Sequence, residues 1–350
     1  MKSEMTNKRC QWPLAAFLTL ALGSLAAGAA APKLPRDLVI GTAPTGTTHY
    51  LGSSAVAKIV GTVTPMRVTV EATRGPAIWL PRMEQGTVDL GTLSTIDGYY
   101  AARGLAPLYD RPRPWLRTLQ PVPIFNTAVI VRQASNMFTL SDLKGKRIAW
   151  GYAGIPVNMI NVEAMLRSVG LTSKDLDTRV IVPGIEEGFT AFAEGRVDAT
   201  FAGAPTVGRL RELDAAFGIR FLQGNCSPEG KKRAQEFIPG VTMAVHPVGY
   251  GVLKEDTCLL SHYMNLAVSK EMSDEVAYAI IKALWEHMEE THPIHADFKR
   301  YWKRESVVVP QSIPYHPGAA RLYKEAGAWT GALEQYQQKM LKDLAALEHK

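Results

Sequence analysis

Cysteine is scarce, with three in 350 residues, which excludes a small domain held mainly by disulfides. The apolar run Leu14–Leu25, about a dozen residues long, falls short of the roughly 20 residues of a membrane-spanning helix. No block of five like charges occurs. The densest basic cluster is Lys231-Lys232-Arg233, and the formal net charge of +6 is mild and spread out. That cluster reads as a solvated face, and no nucleic-acid partner is expected. Enzyme signatures are incomplete too. Gly52-Ser53-Ser54 does not make a nucleophile elbow, Lys144-Gly145-Lys146-Arg147 does not make a phosphate loop, and Gly249-Tyr250-Gly251 stops short of a dinucleotide fingerprint. No cofactor and no catalysis are expected.

What remains is an ordinary globular chain, 46% apolar and 21% charged, long enough for about two domains. Its start differs from the rest. Lys2, Lys8 and Arg9 precede the uncharged run, and Ala27, Ala29, Ala30 and Ala31 follow it before Pro32. This is the layout of a secretory signal peptide over residues 1–30, with cleavage after Ala29 or Ala31. Cys10 precedes the run and is no lipid-anchor cysteine. Export to the periplasm would leave Cys226 and Cys258, which could close a loop of about thirty residues and contribute about 3–4 kcal/mol. The sequence leaves this pairing open, because it requires Cα atoms within about 7 Å.

Strand and helix patterns alternate. Strands are expected at 37–41, 66–72 and 88–93, with helices at 49–60, 77–85 and 94–103. Residues 107–123, rich in proline, should be irregular, and 124–132 a long apolar strand. The same grammar restarts with strands at 146–151, 178–182, 197–202 and 220–222 and helices at 157–169, 186–194 and 205–216. Residues 261–269 should cross back. Helices follow at 274–290, 317–326 and 333–347. The expected architecture is α/β with two lobes: 31–130 plus 262–330, and 131–261, joined by crossing strands and followed by a C-terminal helix in 331–350. Each lobe would carry a mostly parallel sheet with flanking helices.

In open α/β sheets ligands bind beyond the carboxyl ends of the strands. The turns there are small and polar, and helix N-termini beside them favour anions. Thr45, Thr47, Thr48, Ser94 and Thr95 offer hydroxyls, Arg74 a guanidinium for a carboxylate, and His49 and Trp79 rings to pack on a ligand. Each hydroxyl could equally cap a helix, and the rings could be core. Asp97 could accept a ligand amine or cap the 94–103 helix. The second lobe would contribute Tyr152, Gly154, Val157 and Pro205. His287, Glu290, His292 and His295 are a metal candidate, but their spacing is irregular and fits imidazoles at a helix C-terminus better.

Several motifs resemble the TAXI family of TRAP-transporter solute-binding proteins. They are Ile40-Gly41-Thr42 with His49-Tyr50-x-Gly52, Glu84-x-Gly86-x-Val88-Asp89-Leu90, Leu140–Ala149 (LSDLKGKRIA), Glu194–Ala199 (EGRVDA), Ala277–Leu284 (AYAIIKAL) and Ile313–Ala319 (IPYHPGA) with Lys324–Gly327. The resemblance implies a two-lobe periplasmic-binding-protein fold of type II. It implies a monomer that captures an anionic small molecule, an organic acid or amino acid, and delivers it to the membrane subunits of an ion-gradient-driven TRAP transporter. His49 stands where the family carries its first aromatic residue, and Arg74-Gly75-Pro76 replaces a small-residue pattern. His316 reads as structural. The alternatives are the binding protein of an ATP-driven importer or of a membrane sensor, and a secreted metal-dependent hydrolase.

Overall fold

Parallel strands open the chain. β1 (Asp37–Thr42) pairs in parallel with β2 (Arg67–Ala72) and β3 (Leu90–Ser94), linked by α1 (Thr48–Val63) and α2 (Pro76–Glu84). This is a computed structural model, and it describes residues 34–152 and 155–347. The expected leader, its cleavage site and Gly154 lie outside the described residues. α3 (Thr95–Arg103) follows β3 and leads to β4 (Leu116–Arg132). The second series is β5 (Arg147–Gly151), α4 (Val157–Ser168), β6 (Thr178–Val182), α5 (Ile185–Ala193), β7 (Ala199–Gly203), α6 (Gly208–Phe217) and β8 (Ile219–Phe221). α7 (Pro228–Phe237), β9 (Val241–His246) and β10 (Thr257–Ser269) come next, then α8 (Asp274–Glu286), α9 (Ala296–Tyr301), α10 (Pro317–Glu325) and α11 (Gly331–Ala345).

The strand order is β2-β1-β3-β10-β4-β7-β5-β6, with β8 beside β4 and β9 beside β10. The α/β class expected from the sequence is therefore present, as a mixed sheet. β10 runs antiparallel to β3, β4 and β9, and β4 runs antiparallel to β7 and β8. The described residues from Leu34 onward fall in one compact unit. β4 belongs to both ends of it: Leu116–Thr127 pair with β10, and Ala128–Arg132 with β7 and β8.

β4 starts earlier than the prolines suggested. Pro121 sits in the strand opposite Asn265, between two register shifts. Proline lacks the N–H a ladder needs, so strands take it where bulges interrupt the pairing. α8 stops at Glu286 instead of 290, because the chain tightens into a 3-10 turn at Met288–Thr291. α7, β9 and α9 are additional to the sequence reading.

The family-like motifs hold this frame together. Asp89 accepts the Val39 N–H at 2.8 Å, and Asp198 accepts the Arg147 N–H at 2.9 Å. Each stitches two parallel strands in its own half. Asp142 accepts the Phe138 and Thr139 N–H groups, both at 2.8 Å, and these bonds hold its carboxyl below the usual range. His316 is fully buried at the start of α10, where Nδ1 accepts from Gly318 N–H and Nε2 lies 2.9 Å from the Met272 carbonyl. Cys226 and Cys258 are joined, with Cα atoms 5.8 Å apart. Reduction should lower stability by about 3–4 kcal/mol. Denaturant unfolding with and without reductant checks this, and an unchanged midpoint would contradict it.

Candidate functional site

The expected site residues separate into those that hold the frame and those that face each other. Thr47 caps α1: its hydroxyl accepts from Tyr50 N–H and donates to the Pro44 carbonyl at 2.7 Å. Ser94 caps α3 and donates to Asp97 at 2.7 Å. Thr95 is buried and donates to the Tyr263 carbonyl at 2.9 Å. A hydroxyl has one proton to give, so these three are spent within the protein. Asp97 also accepts from the Tyr109 hydroxyl. Trp79 is fully buried in the core. Its ring lies across β1 and β3, where a Cβ at Gly41 or Gly91 would come within 2.6 Å or 2.4 Å of it. Tyr152 is likewise fully buried, with its ring edge-on to Phe201 and its hydroxyl donating to the Ala149 carbonyl. Its φ of 46° turns the chain after β5, in a region uncommon for a non-glycine residue. Pro205 is buried, and its carbonyl accepts from Val252 N–H. Trp79 and Tyr152 belong to the core cluster and Pro205 is buried beside Val252.

Thr45 and Arg74 are exposed, whereas Thr48, His49 and Val157 are half-buried. Among the described residues Arg74 has no ion pair or hydrogen bond. The metal candidate disperses. His287 turns to Glu290 at 2.8 Å, His292 to the Trp302 carbonyl, and His295 caps α9. No group of three metal-ligating side chains is gathered among the described residues.

One expected residue, His49, meets partners the sequence reading missed. α1 is anchored over the sheet by a buried hydroxyl cluster, Thr42 to Thr92 at 2.8 Å and Ser53 to Thr92 at 3.0 Å. Its first turn carries the His49 ring to 6.0 Å from Phe125 on β4. Phe125 lies 5.5 Å from the His262 ring on β10, its register partner. His262 Nε2 is 3.2 Å from Asn161 Oδ1 on α4, and Thr127 Oγ1 donates to the same oxygen at 3.4 Å. Asn158, one turn earlier on the same face of α4, is buried with its Nδ2 unpaired. The starts of α1 and α4 and the paired strands β4 and β10 thus meet around two imidazoles, one phenyl ring and the Asn161 amide. Burial pushes His49 down to about 4, helped by the charge of His262, and burial alone pushes His262 down to about 4. The detectable signals were weak: two asparagines three apart in an apolar helix, and one histidine in the apolar run of β10.

Strand alternation sends the next residues to the other face. There Tyr301 lies 2.9 Å from His246 Nδ1, and His246 Nε2 lies 3.0 Å from Ser261 Oγ. Ser261 donates to Asn126 Oδ1, Asn126 Nδ2 donates to Tyr250, and Tyr250 donates to Asp297. A serine beside a histidine raises the question of a nucleophile. The Ser261 proton is committed to Asn126, so His246 Nε2 must donate rather than accept. Both side chains are buried, and burial pushes His246 to about 4. This pair lacks the free basic nitrogen that activates a serine, and it ties α9 to the crossing strands.

A groove of about 890 Å³ lies elsewhere, lined by Asp37, Asp89, Trp115 and Met272. It opens where β1 and β3 begin, and none of the expected site residues lines it.

The profile of the NMT1-like family matches residues 40–327. The chain belongs to the NMT1-like family. Solved proteins of similar fold include an ancestral arginine-binding protein bound to arginine, 14% identical over 77% of this chain and 100% of that one, with a TM-score of 0.45. The alkanesulfonate-binding protein of Xanthomonas axonopodis pv. citri, bound to MOPS, is 17% identical over 85% of this chain and 96% of its own, with a TM-score of 0.45. The substrate-binding protein of an amino acid ABC transporter is 12% identical over 76% and 98%, with a TM-score of 0.41. Among the described residues of this NMT1-like chain, no helix is long and apolar enough to cross a membrane.

Proposed function

We propose that this NMT1-like protein is a periplasmic solute-binding protein, without turnover, that captures a small molecule and hands it to a membrane transporter. The observation that carries the reading is the meeting of His49, Phe125, His262 and Asn161 on the paired strands β4 and β10 and the starts of α1 and α4. The lobes would be 31–130 plus 262–330, and 131–261, and closure about the crossing strands would bury the solute. Thr48 and Arg74 would reach it from the first lobe and Val157 from the second, with Thr45 at the rim. Closure requires that the solute bind the closed form more tightly.

Two transporter partners fit. One similar solved protein is the substrate-binding protein of an amino acid ABC transporter, which supports an ATP-driven importer. The Leu140–Ala149 and Ile313–Ala319 motifs support the membrane subunits of a TRAP transporter. Uptake that survives ATP depletion but stops with an ionophore supports TRAP, and the reverse pattern supports the importer.

Thermal-shift screening against organic acids, amino acids and sulfonates tests the reading. Ligand at 100 times its Kd should add about 2.7 kcal/mol of apparent stability, and mass spectrometry should recover the solute unchanged. A chemically altered solute would contradict it.

A further inference from the structure

His262 stands in surroundings that suit its charged form better than its neutral one. Both ring nitrogens face oxygen acceptors: Nε2 lies 3.2 Å from Asn161 Oδ1, and Nδ1 lies 3.3 Å from the Tyr263 carbonyl. Asn161 cannot turn its amide round, because its Nδ2 donates to the Val157 carbonyl at 3.1 Å. A neutral imidazole has one N–H, so one of the two contacts sets lone pair against lone pair. A second proton would satisfy both. Desolvation opposes that proton while the site is empty of charge.

The groups around the pair are known. α1 brings His49, β4 brings Phe125 and Thr127, and α4 brings Asn161, with Asn158 one turn earlier on the same face of α4. The charged forms of His49 and His262 oppose each other. The buried Nδ2 of Asn158 is a donor without an acceptor. α1, of 16 residues, and α4, of 12, both begin here, and their N-termini favour negative charge. Among the described residues the site therefore offers donors and two protonatable rings, with no fixed cation hydrogen-bonded to them.

We infer that the ligand is an oxyanion, a carboxylate or sulfonate, bound together with a proton taken up by the His262–His49 pair. The inference rests on the solute-binding reading and deepens it. The anion supplies the charge that desolvation lacks, and the protonated ring then satisfies Asn161 and Tyr263 together. By linkage, affinity falls as pH rises, by up to tenfold per unit for one proton, until the midpoint of the bound form is passed.

Histidine-selective 15N NMR of the purified protein tests this with sulfate as the probe. Between pH 4 and 8, about 0.1 M sulfate should raise the titration midpoint of His262 or His49 by about one unit over chloride at equal ionic strength. Equal midpoints in the two salts overturn the inference. His262→Gln keeps a donor toward Asn161 and removes the charge. It should flatten the pH dependence of affinity for any anion found by screening. His49→Gln is the second variant, should the first not fold. A tight ligand that is neutral or cationic, or an anion bound without proton uptake in calorimetry across buffers, overturns the inference and leaves the binding reading intact. A screen in which no solute binds overturns the binding reading instead, while the sulfate titration still decides the anion site.

Discussion

Trp79→Ala is expected to destabilise the protein by about 3–5 kcal/mol, the usual cost of deleting a large buried aromatic side chain. The indole is fully buried and spans Gly41 and Gly91, so its loss empties the layer between α2 and the strands. Gly91→Ala tests the same contact from the other side. Its new Cβ would come within 2.4 Å of the ring, which requires a shift that costs about 1–3 kcal/mol. Denaturant unfolding measures both. A loss below about 1 kcal/mol for Trp79→Ala would contradict the core placement and return Trp79 to the ligand contacts.

Acid should weaken the fold well before carboxylates are protonated. His246 and His262 are buried, with folded values near 4, whereas an unfolded histidine titrates near 6.5. Below pH ~6.5 the unfolded chain binds more protons, so stability falls as pH falls toward 4, by up to about 3 kcal/mol for each histidine. Asp97 and Asp297, raised by burial, take their protons earlier in the folded state and pull the other way at the acid end. Comparison with His262→Gln isolates one contribution. The variant should lose less stability than wild type between pH 7 and 5, and parallel curves would contradict the stated burial of His262.

The class of fold was readable because buried parallel strands and amphipathic helices write different periods into the chain. The motifs that resemble the TAXI family belong to the frame: Asp142 and His316 satisfy neighbouring backbone N–H groups, while Asp89 and Asp198 tie strands about fifty residues apart, so they say little of the ligand. The site was less legible. Thr47, Ser94 and Thr95 looked like ligand donors because capping and binding use the same hydroxyls, and only their partners separate the two uses. Trp79 looked like a stacking ring because α2 has a short apolar face, and nothing local reveals the two glycines beneath it. Phe125 and His262 went unseen because their meeting depends on the register of β4 against β10, which joins positions 137 apart in the chain. Asn158 and Asn161 gain meaning only once α4 is docked on that crossing.

The most direct measurement is calorimetric titration of the best solute from the screen into wild type, Phe125→Ala and Asn161→Ala, with stability recorded for each. The account predicts saturable binding to wild type, at least tenfold weaker binding (about 1.4 kcal/mol) to both variants, and folded protein in every case. Unchanged affinity in folded variants would contradict capture at the crossing of β4 and β10.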